Sequence, residues 1–182
     1  MPTYGVMLSY KEYEALPSDG RRYEIHEGEL SVTAAPSPQH QIISANLFVL
    51  LSAHIKAKGI GRVLYAPLDV ILSDTSIVQP DIVYLDPTRL DAISRRGIEG
   101  PPTLAIEVLS PATTLIDRST KHQLYARQGV PYFWLVDPEG HTVEAFDLGP
   151  QGYALAARSF GTQPVSLPPF PDLALIPASL WP

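Results

Sequence analysis

The stretch "AIEVLSPATTLIDRSTKHQLYARQGVPYFWLVDPE" (residues 105–139) has the pattern of a strand, a helix and a second strand. It opens with an apolar run that predicts a strand, which a Ser-Pro step ends. Thr114 and Asp117 have the spacing of a capping box and Gly129 is placed just beyond a helix C-terminus, so a helix is predicted between them. A second apolar strand, "PYFWLVD" (131–137), follows. Strands and helices interleaved in this way predict an α/β (α+β) fold.

The N-terminal part of the chain is predicted to form a hairpin and the main core helix. Ser9 is placed as the N-cap of a short first helix. Alternation with period two then predicts hairpin strands near residues 22–26 and 29–34. Ser37-Pro38 has the pattern of a helix start, and apolar residues follow at helical spacing until Gly59.

The remaining segments are predicted to be short strands and loops. Residues 87–102 form a polar loop with one helical turn, and residues 142–148 form a strand after a tight turn. The tail, 164–182, has too many prolines for a central strand and is predicted to be an irregular cover. Three β-rich runs are predicted to form a meander, at residues 62–67, 68–72 and 76–86.

Composition predicts one globular domain over residues 1–182. Apolar residues make up 45% and charged residues 18% of the chain, a balance unlike that of disordered or membrane proteins. The N-terminus has no basic start followed by a long apolar run, which predicts a cytoplasmic protein. Because the chain has no cysteine, any metal must be held by oxygen or imidazole ligands, and this favours a hard ion such as magnesium.

The formal net charge of −6 counts against nucleic acid as a partner, since the overall field would repel a phosphate backbone. However, of the 13 Lys and Arg residues only Arg158 lies beyond residue 128. Any basic face must therefore come from the first two thirds of the chain. The basic residues that we expect to contact nucleic acid unequally are Arg21, Arg22, Lys56, Lys58, Arg62, Arg95, Arg96 and Arg118.

Asp81 and Glu107 are the unusual acids, because each lies in an otherwise apolar strand, in "QPDIVYL" and "LAIEVLS". A carboxylate there must be paired, protonated or bound to a metal. If the two strands are neighbours, the like charges repel unless a cation lies between them, and magnesium accepts one or two carboxylates. Alternatively, each acid points to solvent or meets an arginine, and spacing does not decide between these alternatives.

Other polar residues have weaker signals. Lys121 and Tyr125 share one face of the helix that follows Glu107, so Lys121 could point toward the two acids, although most helical lysines are solvated. Glu24 is a third strand acid, which an edge strand of a hairpin often carries outward. His40 lies in the first turn of the long helix, where it could cap or pack.

Four segments in a fixed order resemble one known family. The segments "YEIHEGEL", "SPQHQ" and "QPDIVYLD", followed by the stretch at 105–139, are similar to the Uma-two family of restriction endonuclease-like proteins, within the PD-(D/E)XK nuclease superfamily. The match runs from Tyr23 to Glu139. The resemblance implies a restriction endonuclease-like mixed sheet with helices on both sides. It also implies a DNA endonuclease that depends on magnesium or manganese.

Carried over residue by residue, the resemblance implies that Asp81, Glu107 and the Val108 carbonyl hold the metal. The lysine of the superfamily normally stands two residues after the glutamate, where this chain has Leu109. The resemblance therefore implies that Lys121, from the following helix, is the catalytic lysine beside Asp81 and Glu107. The further family positions, whose roles stay open, are Glu24, His40 and the packing or supporting residue Tyr125.

Two other functions remain open at this point. A non-cleaving relative would use the same fold as a DNA-binding or assembly module. A metal phosphodiesterase acting on a small substrate would suit the negative net charge better. Superfamily relatives that cut both strands usually pair subunits, so a homodimer is expected by analogy.

Overall fold

The computed structural model describes residues 6–33 and 35–182. Its helices are α1 (Tyr10–Glu14), α2 (Pro38–Lys58) and α3 (His122–Arg127), and α3 continues directly from a π-helical segment at Ile116–Lys121. Short 3-10 helices lie at Pro87–Ala92 and Pro177–Ser179. The strands are β1 (Arg22–His26), β2 (Glu29–Thr33), β3 (Arg62–Tyr65), β4 (Val70–Ser73), β5 (Ser76–Val78), β6 (Ile82–Leu85), β7 (Ile98–Glu99), β8 (Leu104–Val108), β9 (Tyr132–Asp137), β10 (Thr142–Gly149), β11 (Gly152–Phe160), β12 (Val165–Leu167) and β13 (Phe170–Leu175).

The larger sheet has six strands in the order β11-β10-β9-β8-β6-β3. Strands β8 and β9 are parallel, and the other neighbours are antiparallel, so the sheet is mixed. The apolar side of α2 packs on one face of this sheet, and α3 packs on the other. The predicted mixed sheet flanked by helices is confirmed.

The predicted meander is wrong, because its runs are divided between two sheets. Strands β4 and β5 belong to a five-stranded sheet of order β2-β1-β5-β4-β7, whereas β3 and β6 pair in the larger sheet. The chain crosses between the sheets at Pro80, which has no N–H to continue a ladder. Asp81 is therefore placed at the junction of the two sheets, directly before β6.

The long helix agrees with its predicted ends. The Ser37 side chain accepts a hydrogen bond from the His40 N–H at 3.2 Å, and Gly59 ends the helix with a φ of 64°. The second helix starts differently from the prediction. Thr114 is already helical, and its hydroxyl donates to the Ser110 carbonyl at 2.7 Å, so the predicted capping box with Asp117 does not form.

The ends of the chain complete the core. The hairpin β1–β2 is confirmed, except that residue 34 of its predicted second strand lies outside the described residues. The tail is more regular than predicted, because β12 and β13 form a hairpin with its prolines in and next to the turn. Leu167 and Phe170 of this hairpin are buried in the cluster that α2 shares with the larger sheet. No helix in the described part of the chain is long and apolar enough to cross a membrane.

Candidate active site

A cavity of about 260 Å³ lies where β1, β8, the start of α2 and the π-helical segment meet. Tyr125 does not line the cavity, but its hydroxyl donates a hydrogen bond to Glu107. The other residues singled out from the sequence line the cavity together: Glu24, His40, Asp81, Glu107, Val108 and Lys121. Residues that are up to 97 positions apart in the sequence thus share one space.

Strand register brings Asp81 and Glu107 to the same place. In the antiparallel pair β6–β8, Ile82 lies opposite Ile106, so the next position outward sets Asp81 opposite Glu107. The backbone N–H of Val108 donates to Asp81 Oδ2 at 2.8 Å, which ties the Asp81 side chain to the end of β8. Residues directly opposite in a ladder point to the same face, which explains why both acids face one cavity.

Asp81 is a buried acid that its neighbours keep ionised. His40 Nε2 lies 3.1 Å from Asp81 Oδ2, and Arg22 Nη2 lies 3.1 Å from Oδ1. Burial by itself raises the pKa of Asp81, but the hydrogen bond from His40 and the charge of Arg22 outweigh burial and lower it. The alternative in which the acid meets an arginine is therefore realised inside the cavity rather than on an outer face.

Glu107 is held differently from Asp81. Lys121 Nζ and the Tyr125 hydroxyl donate to Glu107 Oε1 at 3.0 and 2.6 Å. Burial raises the pKa of Glu107 well above its usual range; Lys121 opposes this rise, and the other carboxylates around the cavity add to it. The two acids are thus unequal: their surroundings lower the pKa of Asp81 and raise that of Glu107, and a further cation at the site would lower the pKa of Glu107.

Lys121 is not a solvated helical lysine, because only 3% of it is exposed. Its Nζ lies 3.0 Å from a carboxylate oxygen of both Glu24 and Glu107, and 3.6 Å from Asp117 Oδ1. Burial lowers the pKa of Lys121, but these carboxylates outweigh burial and raise it. The lysine is a permanent positive charge at the centre of the cavity.

The structure corrects two interpretations of acids. Glu24 is not an outward acid on an edge strand, because β1 lies between β2 and β5 and the side chain is buried. Asp117 does not form a capping box with Thr114; it lies in the first turn of the π-helical segment, is buried and faces Lys121. The spacing of Asp117 and Lys121, four residues apart on one helix face, was the signal that could have identified it.

Two residues that the sequence did not single out hold Glu24 in place. The backbone N–H of Gln79 donates to Glu24 Oε1 at 2.6 Å, and His26 Nε2 lies 3.2 Å from Oε2. Burial raises the pKa of Glu24, but Lys121 and His26 outweigh it and lower the pKa to about 2. Gln79 directly precedes the Pro-Asp step, so the same turn positions both Asp81 and Glu24.

The charges around the cavity fit a divalent cation. Four carboxylates line it, from Glu24, Asp81, Glu107 and Asp117, against the two permanent cations Arg22 and Lys121. Within residues 6–33 and 35–182, no group of three or more histidine or acidic side chains is arranged to hold a metal. Magnesium does not require such a group, since it commonly takes one or two carboxylates and keeps several waters. The oxygen donors and the excess of negative charge suit this hard ion.

The raised pKa of Glu107 predicts how stability changes with pH. Between the ordinary carboxyl pKa and the raised folded value, the folded state binds more protons than the unfolded state. Without divalent ions, the free energy of unfolding should therefore fall as pH rises through this window, by up to about 1.4 kcal/mol per pH unit for this carboxyl. Glu107→Gln should remove that contribution and be more stable than the parent at neutral pH. Urea unfolding at several pH values measures this, and parallel profiles for the two proteins would contradict it.

Few residues of the expected basic face lie at the cavity. Arg22 lines the cavity, whereas Arg21 does not line it and is paired with Asp19. Several of the other basic residues are neutralised by acids outside the cavity, as in the pairs Lys58–Asp172, Arg96–Glu99, Arg118–Asp137 and Arg118–Glu144. Contact of these basic residues with nucleic acid stays a prediction.

The fold and the cavity define a nuclease-like class of protein. A mixed sheet carries two opposed strand acids at its end, and helices flank it on both faces. The chain belongs to the Uma2 family, whose model, described as "Putative restriction endonuclease", matches residues 10–179. A crystal structure described as "a putative nuclease belonging to DUF820" from Anabaena variabilis has a TM-score of 0.78 and 22% identity, covering 95% of this chain and 97% of that chain. At this identity the likeness establishes the fold. No curated protein matches the chain.

Proposed function

We propose that this protein is a metal-dependent endonuclease that hydrolyses phosphodiester bonds of DNA. The observation that carries the proposal is the position of the Lys121 ammonium, 3.0 Å from the Glu107 carboxylate in the cavity that Asp81 also lines. Membership of a family described as restriction endonucleases supports the same reaction. The helical lysine compensates for Leu109, which occupies the position where the superfamily resemblance would place a lysine.

In this proposal, Asp81, Glu107 and the Val108 carbonyl hold magnesium or manganese. When bound, the ion would polarise a phosphodiester oxygen and lower the pKa of water at the site. Arg22 and His40 hold the Asp81 carboxylate in one orientation, because each contacts a different oxygen of it. Tyr125 does the same for Glu107 by its hydrogen bond to Oε1.

Lys121 orients the attacking water and offsets the negative charge that develops on the phosphoryl oxygens. An ammonium fixed among carboxylates in a buried site stabilises a developing negative charge more strongly than a solvated one does. Glu24 and Asp117 hold the ammonium in place, at 3.0 and 3.6 Å. His26 and Gln79 in turn orient Glu24, so a shell of hydrogen bonds supports the lysine.

The same arrangement weighs against a non-cleaving module. A domain that only binds DNA gains nothing from placing four acids around a lysine, since buried carboxylates repel phosphate and cost stability. The alternative of a small substrate is favoured by the net charge of −6 and by the small number of basic residues that line the cavity. It predicts hydrolysis of bis(p-nitrophenyl) phosphate together with no cleavage of any polynucleotide.

The reaction is tested with the purified protein on supercoiled plasmid, single-stranded DNA and RNA, with magnesium, manganese or EDTA. We expect cleavage of DNA that requires the divalent ion. Binding of the same DNA should weaken as salt is raised, since phosphate contacts release counterions. Absence of cleavage on all three substrates with both metals would contradict the proposal. Cleavage of RNA alone would show that the substrate is RNA rather than DNA.

Magnesium should also stabilise the folded protein, which can be measured without any activity. A ligand at one hundred times its dissociation constant adds about 2.7 kcal/mol to the free energy of unfolding, and a chain of this size gains about 2 to 4 °C in Tm per kcal/mol. We expect this rise for the parent and its loss in Glu107→Gln. Potassium chloride at equal ionic strength is the control for non-specific salt effects. Equal magnesium shifts in the parent and in Glu107→Gln would exclude Glu107 as a ligand.

A further inference from the structure

A second, larger cavity of about 580 Å³ opens beside the candidate active site. The two cavities share His40, Asp81 and Arg22 in their linings, so they adjoin each other. The larger one runs as a groove along α2, from His40 to Val49, a length of about 14 Å at 1.5 Å per helical residue. The groove is therefore long enough to hold the part of a polymer that adjoins a phosphate at Asp81.

The groove has an aromatic and apolar wall that no other part of the described chain covers. Val49 on α2 is 65% exposed, and Tyr65 at the end of the edge strand β3 is 61% exposed. Phe48 packs against Tyr65 in an edge-to-face arrangement with ring centroids 4.6 Å apart. This contact holds the tyrosine ring at the mouth of the groove while leaving most of it accessible.

The charge of the groove differs from that of the whole protein. Its lining contains Arg21, which is paired with Asp19, and Arg22, which is paired with Asp81, so the groove is close to neutral in a chain whose net charge is −6. Polar side chains that can donate and accept hydrogen bonds, Gln41 and Ser44, lie along the same helix face. An apolar platform that is close to neutral and carries a few hydrogen-bonding groups suits a nucleotide better than a purely apolar ligand.

We infer that this groove binds an unstacked nucleobase next to the scissile phosphate, with Tyr65 as the stacking platform. The inference rests on the proposed function and makes it more specific, since it names single-stranded nucleic acid, or a locally unpaired strand, as the preferred substrate. Within an intact duplex, both faces of each base are covered by its neighbours, so a side chain cannot stack on them unless the base leaves the helix. Aromatic stacking is tolerant of base identity, and we expect little sequence preference at this position.

The test measures binding rather than cleavage. A fluorescein-labelled single-stranded oligonucleotide is titrated with the full-length protein in EDTA, which prevents metal-dependent hydrolysis. Tyr65→Leu keeps an apolar side chain against Phe48 but removes the ring, and it should weaken binding by about 5- to 150-fold, the usual effect of one base–aromatic stack. Tyr65→Phe keeps the ring and should bind like the parent.

A matched control is available on the opposite edge of the same sheet. Phe160 on β11 is 70% exposed and does not line either cavity, so Phe160→Leu should leave binding unchanged. A second measurement uses an oligonucleotide that contains 2-aminopurine. The fluorescence of the 2-aminopurine should be quenched when the oligonucleotide binds to the parent, but not when it binds to Tyr65→Leu. Equal affinities of the parent and Tyr65→Leu would overturn the inference. The inference would also be overturned if Tyr65→Leu weakened binding of a blunt duplex of the same sequence as much as binding of the single strand.

These outcomes are separate from those of the proposed function. If the parent cleaves DNA but Tyr65→Leu binds single strands normally, the groove assignment is wrong and the nuclease stands. If the parent cleaves nothing but Tyr65→Leu loses single-strand affinity, the groove assignment stands and the nuclease is wrong. A parent that binds no single strand at all overturns the groove assignment directly.

Discussion

Replacing Asp81 by asparagine is expected to slow magnesium-dependent DNA cleavage by about 10³-fold or more. Loss of a divalent ion removes several kcal/mol of charge stabilisation from the transition state, and each 1.36 kcal/mol is a factor of ten in rate. The asparagine also presents an amide nitrogen, which cannot accept the hydrogen bonds that Arg22, His40 and Val108 now give to the two oxygens. Single-turnover conversion of supercoiled to nicked plasmid measures the rate.

Asp91→Asn is the matched control, because Asp91 is an exposed acid in the 3-10 helix after β6, and it lines neither cavity. It should cleave at the parental rate. Circular dichroism should show that Asp81→Asn remains folded at the assay temperature. A folded Asp81→Asn that cleaves as fast as the control would remove Asp81 from the metal site and the mechanism.

Lys121→Ala is expected to reduce the same cleavage by about 10² to 10⁴-fold, the usual size of a proton-transfer or charge-stabilising contribution. For a solvated helical lysine, such a change typically alters the free energy of unfolding by no more than about 0.5 kcal/mol. The burial of Lys121 among Glu24, Glu107 and Asp117 changes that expectation. Removing one partner of a buried ion pair typically costs about 3 to 5 kcal/mol, so the variant should also be less stable.

The two effects of losing Lys121 can be separated. Lys121→Met keeps the apolar stem of the side chain, so it isolates the loss of the charge from the loss of packing. Lys11→Ala, an exposed lysine on α1 that lines neither cavity, should change neither cleavage nor stability measurably. Cleavage is compared at a temperature where urea or thermal unfolding shows every variant to be folded. A folded Lys121→Met that cleaves at the parental rate would exclude the lysine from the reaction.

Sequence reasoning succeeded where structure depends on neighbours along the chain. The ends of α2 follow from Ser37 and Gly59, whose capping roles need only the adjacent turn of helix. The hairpin β1–β2 and the strand β8 follow from alternation and from apolar runs of strand length. The family resemblance rests on the same local segments, and the matching family model confirms it.

It failed where the position of a segment depends on distant partners. The run that contains β5 and β6 was assigned to one meander, yet its halves pair with β1 and β4 in one sheet and with β3 and β8 in the other. Glu24 looked like an outward acid because nothing local shows that β5 covers the other side of β1. Burial of a strand is a property of the neighbours it finds, which alternation alone does not specify.

By itself, the sequence determined the local elements, the absence of thiolate ligands and the order of two strand acids followed by a helical lysine. Only the tertiary structure decided that Asp81 and Glu107 are opposed, that Asp117 and Glu24 join them, and that the lysine at the centre is buried. It also decided their charges, lowering the pKa of Asp81 and raising that of Glu107. The physical reason is that capping and periodicity act over a few residues, whereas desolvation and charge interactions act through space between segments that the sequence keeps far apart.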